Sequence, residues 1–73
     1  MSAKHKARVA AKEAVGDVAR VDKIKGQLVV KRTSKTGRLR DWHSRTKNLL
    51  KNTLPNWQVI SEGNGTIVME VIK

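Results

Sequence analysis

The sequence predicts a small α+β domain of ββαββ-like layout, in which one amphipathic helix packs on a small antiparallel sheet behind a flexible or weakly helical basic N-terminal arm. Three observations predict it. They are the β-branched residues from Val18 with a turn signal at Lys25-Gly26-Gln27, a helical apolar repeat between Leu39 and Thr53, and two apolar arms around Asn64-Gly65. At 73 residues there is room for one domain. A chain of this size buries only about 60% of its unfolded surface, which leaves its stability marginal. The expected organisation is a basic arm over 1–16 and a compact domain over 17–73.

In the arm, Ala7, Ala11, Ala14, Val18 and Val21 recur at spacings of three or four, which gives a weak apolar helical face. Alanine favours helix but has little surface to bury, and Gly16-Asp17 interrupts the pattern. Two readings stay open: a frayed helix, or a solvated basic tail.

A first hairpin follows, with arms Val18–Ile24 and Leu28–Thr33 on either side of the Lys25-Gly26-Gln27 turn. Arg20 and Asp22 share parity with Val18 and Ile24, so the first arm reads as a short or edge strand. Residues 33–37 form a loop whose hydroxyls offer N-caps to the next helix. In that helix Leu39, Trp42, Thr46, Leu49, Leu50 and Thr53 fall within one sector of about 100°. Arg40, Lys47 and Lys51 line one flank, and Arg38 and Arg45 lie on the other. The helix ends at Asn52-Thr53-Leu54-Pro55, because a proline biases the residue before it away from helical angles.

The last segment reads as a second hairpin: Trp57–Ile60, a turn at Glu62-Gly63-Asn64-Gly65, and a strand from Thr66 to Ile72. Asn-Gly suits a primed turn, in which both central residues need positive φ. Ile67, Met69 and Val71 point one way and pack on the helix, while Val68, Glu70 and Ile72 point the other.

Charge is segregated along the chain. Fifteen of the sixteen Lys and Arg fall in the first 52 positions against four acids, so that stretch carries +11 and the last 21 residues carry −1. Such self-repulsion turns to attraction on a polyanion or an acidic partner surface, which points to a binding protein. Lys31, Arg32, Lys35, Arg38, Arg40, Lys47 and Lys51 form the candidate partner-binding surface. Between positions 23 and 61 only Asp41 offers an opposite charge, so salt bridges along the helix do not account for these residues.

Other functional classes lose ground. The absence of cysteine removes disulfides and thiol chemistry and suits a reducing cytosol. The longest uninterrupted apolar runs are three residues, as in Leu28-Val29-Val30, against roughly 18 for a membrane span. No apolar stretch follows the basic start, so no secretory signal is expected. His5 and His43, 38 positions apart and without a thiolate, do not make a metal site. The carboxylates are scattered: Asp41 complements the helix dipole and Glu62 belongs to a turn. Ser44 adjoins His43, but neighbours in a helix point about 100° apart, so the two are not a nucleophile with its base. The expectation is a non-enzyme without cofactor.

The loop Thr33-Ser34-Lys35-Thr36-Gly37-Arg38 has the composition of a phosphate cradle without the glycine spacing of one. There is no Phe or Tyr, and the two Trp are candidates for the core or for an apolar anchor, which disfavours a base-stacking platform. His43, bordering the apolar sector, reads as a partly buried packing residue or a contact to a partner's phosphate.

The span from Met-Ser-Ala-Lys-His-Lys-Ala-Arg to Gly-Thr-Ile-Val-Met-Glu-Val-Ile-Lys, with its central Gly37-Arg38-Leu39-Arg40-Asp41-Trp42-His43, resembles the small bacteriophage-encoded regulators of host RNA polymerase, which suppress initiation and act as antiterminators. The resemblance implies binding to the large polymerase subunits, interference with sigma-factor retention and continued association during elongation. The chain is expected to be a monomer in the cytoplasm of the host bacterium. The resemblance carries over no set of binding residues. The alternative expectation is a direct DNA- or RNA-binding protein with its basic face on the phosphate backbone. A membrane-active basic peptide is disfavoured, because a β-rich domain does not present a long amphipathic helix to lipid.

Overall fold

A computed structural model describes residues 3–33 and 37–72, with side chains from residue 6 onward. The elements in order are helix α1 (Ala3–Val15), a 3-10 turn (Gly16–Val18), strands β1 (Ala19–Ile24) and β2 (Gln27–Arg32), helix α2 (Leu39–Thr53), and strands β3 (Trp57–Gly63) and β4 (Thr66–Val71). The strands form one antiparallel sheet in the order β1-β2-β4-β3. The two hairpins therefore meet through β2 and β4, and β1 is an edge strand as its imperfect alternation implied. The α+β class and the sheet beneath an amphipathic helix agree with the expectation. No helix among the described residues is long and apolar enough to cross a membrane.

Strand alternation decides the inner face. Val21 opposes Val30, Leu28 opposes Met69, Val30 opposes Ile67, and Val59 opposes Met69. These residues share one core with Trp42, Leu50, Leu54 and Trp57. Leu28, Val30, Leu50, Ile67 and Met69 are fully buried. Each contributes on the order of 1.5–3 kcal/mol by removing its side chain from water. Both hairpin tips carry the positive φ pair of a primed turn: Lys25 (50°) with Gly26 (81°), and Asn64 (51°) with Gly65 (83°).

Of the two readings of the N-terminal segment, the structure shows the helical one, packed rather than frayed. From Ala3 it is a 13-residue helix whose Ala7, Ala11 and Val15 are buried in the common core, against β1 and α2. Small side chains at i, i+4 and i+8 allow close approach of the backbone, so contact area comes from proximity rather than from large apolar groups. Of the remaining expected face, Ala14 is half-buried and Val18 is exposed. The helix end is fastened by Lys12, whose Nζ donates to the carbonyls of Gly16 (2.8 Å) and Ala19 (3.0 Å). Beyond it, Thr33 reaches back from the end of β2, its N–H donating to the Val18 carbonyl (3.1 Å) and its hydroxyl to that of Asp17 (2.8 Å).

Helix α2 buries a narrower stripe than its sector suggested. Trp42, Thr46 and Leu50 are buried, whereas Leu39, Leu49 and Thr53 at the stripe margins are exposed. The N-cap is Arg38, in extended geometry and without a side-chain cap bond. Of the hydroxyls expected to cap, Thr33 is committed to Asp17, and Ser34 and Thr36 lie outside the described residues. At the other end the Leu54 N–H donates to the Leu50 carbonyl (2.8 Å), and the chain turns through Pro55 into β3.

Candidate interaction surface

With both helices on one face of the sheet, charge divides by face. Among the described side chains, α1, α2 and the Arg38 cap carry eight cations (all exposed but the half-buried Lys47) against two acids, Glu13 and Asp41. The outward strand positions carry Arg20 and Lys31 against Asp22 and Glu70, with Arg20 lying 3.6 Å from Asp22. That uncovered side is therefore balanced in charge. It is studded with the half-buried Val29 and Val68 and the exposed Ile24.

The six described candidate cations do not form one unbroken patch. Arg40, Lys47 and Lys51 share the flank of α2 that faces the second hairpin, where Arg40, His43, Ser44, Lys47, Glu62 and Gly63 line a shallow depression. Lys31 and Arg32 sit at the end of the sheet near the start of α2, around Leu39 and the Asn64-Gly65 turn. Arg32 is half-buried and its guanidinium donates to the Gly37 carbonyl (2.9 Å), so it supports the loop as well as carrying charge. Arg38 lies on the opposite flank of α2 with Arg45, divided from Arg40 by the helix itself. Lys35 lies outside the described residues.

Sequence reasoning placed Glu62 in a turn, whereas it lies within β3. Val59 opposes Met69 and Ser61 opposes Val68, so β3 advances two residues while β4 advances one. Ile60 is the extra residue of this β-bulge, and it inverts the alternation that follows. Counted evenly from Trp57, Glu62 would point away from the helices. After the bulge it points toward α2, where its Oε1 lies 3.0 Å from Lys47 Nζ. Its other oxygen lies 3.8 Å from His43 Nδ1.

His43 has a structural task. Its Nε2 accepts the Gly65 N–H at 3.1 Å, tying the tip of the second hairpin to α2. That bond requires the neutral imidazole with its proton on Nδ1. Nδ1 is buried and makes no hydrogen bond among the described residues. The ring also stands edge-on to Trp42, with centroids 4.9 Å apart and planes at 82°. Of the two earlier readings, packing is the one these contacts favour.

Neither indole is presented to a partner. Trp42 and Trp57 are 9% and 8% exposed, and Trp42 Nε1 donates to the Val18 carbonyl at 3.3 Å. Both belong to the core.

Comparison with known proteins supplies no relative. No family model, curated protein or solved structure matches the chain. The functional reading thus stands on this surface and on the sequence resemblance alone.

Proposed function

We propose that the chain is a bacteriophage transcription regulator that binds host bacterial RNA polymerase, inhibits initiation by interfering with sigma-factor retention, and modulates elongation as an antiterminator. The choice of polymerase comes from the sequence resemblance. The observation that carries the binding mode is the cationic helical layer, above all the Arg40, Lys47 and Lys51 flank of α2, set against a charge-balanced sheet face. Such a layer steers encounter with an acidic protein surface, and the rigid helix fixes the spacing of its charges. Direct nucleic-acid binding is the rival, since a cationic helical face also suits phosphates.

Salt and nuclease separate the two. After nuclease treatment, the tagged protein should retain the large polymerase subunits at moderate salt, and the purified enzyme should bind it directly. Loss of polymerase on nuclease treatment would contradict the proposal. Direct duplex binding has a distinctive slope, with log affinity falling by about 0.9 per phosphate for each unit of log salt. The polymerase complex is expected to show a shallower dependence than the protein's own association with duplex DNA.

A further inference from the structure

We propose that Glu62 is an exchangeable guard on Lys47: a carboxylate of the acidic partner surface takes Lys47, and Glu62 moves onto the Nδ1–H of His43. The inference rests on the reading that the α2 flank meets an acidic protein. It identifies the chemical group recognised and the rearrangement that accompanies binding.

The geometry shows a carboxylate shared between two donors and well placed for one. Glu62 Oε1 is 3.0 Å from Lys47 Nζ, a good charge-assisted hydrogen bond. Glu62 Oε2 is 3.8 Å from His43 Nδ1, beyond hydrogen-bond range. That nitrogen must carry the imidazole proton, because Nε2 accepts from Gly65. The result is a buried N–H without an acceptor among the described residues and a carboxylate oxygen just out of reach. A buried donor left unsatisfied is costly, so a shift of Glu62 toward His43 is favourable once Lys47 has another partner.

Exposure permits the exchange. The Glu62 and Lys47 side chains are 39% and 31% exposed, so the pair sits in the wall of an open depression rather than in the core. Arg40, Ser44 and Lys47 lie at i, i+4 and i+7 on that wall, with Lys51 one further turn along. One carboxylate therefore faces several donors and leaves the flank positive. The Ile60 bulge makes the arrangement possible, because it turns Glu62 from the sheet side to the helix side. Until a partner arrives, Lys47 is held in a fixed geometry by the same chemical group that the partner brings.

The test uses poly-L-glutamate as a defined carboxylate probe, with purified RNA polymerase and duplex DNA in parallel. Glu62→Gln should bind poly-L-glutamate about twofold to fivefold more tightly, the gain expected when a weak competing surface pair is removed. Glu13→Gln, with the same change in net charge on α1, should gain less. Lys47→Ala should weaken the Glu62→Gln protein more than the wild type. In wild-type protein, saturation with poly-L-glutamate should shift the His43 imidazole 15N resonances as Glu62 closes on Nδ1. A gain no larger than that of Glu13→Gln would overturn the inference, as would an unmoved imidazole or a gain confined to duplex DNA. Failure of every variant to bind polymerase would refute the polymerase reading, while the poly-L-glutamate series still decides the role of Glu62.

Discussion

His43 and Gly65 show how single residues of the second hairpin set the position of the candidate surface. The Gly65 backbone adopts a φ of 83°, and a Cβ added there would lie 3.4 Å from Arg32 Cβ. Gly65→Ala should therefore lower stability by about 1–2 kcal/mol, the cost of a left-handed conformation for an L-residue. His43→Ala removes the acceptor of the part-buried Gly65 N–H and should cost about 1–3 kcal/mol. Urea unfolding followed by circular dichroism measures both. A change below about 0.5 kcal/mol in either variant would contradict the role given to this tie. Asn64-Gly65 was legible in the sequence because a primed turn has strict backbone needs. The role of Glu62 was not, since it depends on one extra residue in β3, and no residue type marks Ile60 as a bulge.

At the scale of elements, α2 announced itself plainly, whereas α1 was legible only as one of two readings. The apolar repeat of α2 includes Trp42 and Leu50, large groups whose spacing stands out against a polar background. In α1 the buried positions Ala7 and Ala11 look weakly apolar, although Ala11 is 0% exposed. A hydropathy pattern weighs the size of a side chain, whereas packing also rewards the closeness that small size permits. The burial of α1 has a direct consequence. Ala11→Glu places a charge in the core and should destabilise by at least about 3 kcal/mol, a large share of the total for so small a domain. Val9→Glu, on the exposed side of the same helix, should change stability by no more than about 0.5 kcal/mol. Equal effects in thermal or urea unfolding would mean that α1 behaves as a solvated tail.

For the whole molecule, a charge partition visible along the sequence becomes a partition by face. The near-neutral C-terminal hairpin supplies β3 and β4, and the outward strand positions are balanced between Arg20 and Lys31 on one side and Asp22 and Glu70 on the other. The excess positive charge stands on the two helices. The six described cations of the sequence grouping resolve into an α2 flank, a sheet end and an opposite flank, because residues near in sequence diverge once β2 and the helix are placed. Arg40, Lys47 and Lys51 remain together, since their i, i+7 and i+11 spacing belongs to the helix alone. The most direct measurement is the affinity of purified, nucleic-acid-free bacterial RNA polymerase for the wild type and for the Arg40→Glu, Lys47→Glu, Lys51→Glu triple variant, with the fold of each checked by circular dichroism. The predicted result is a loss of about tenfold or more with the fold intact, as reversal of several interface charges produces. Unchanged affinity in a folded triple variant would contradict the assignment of this flank as the partner-binding surface.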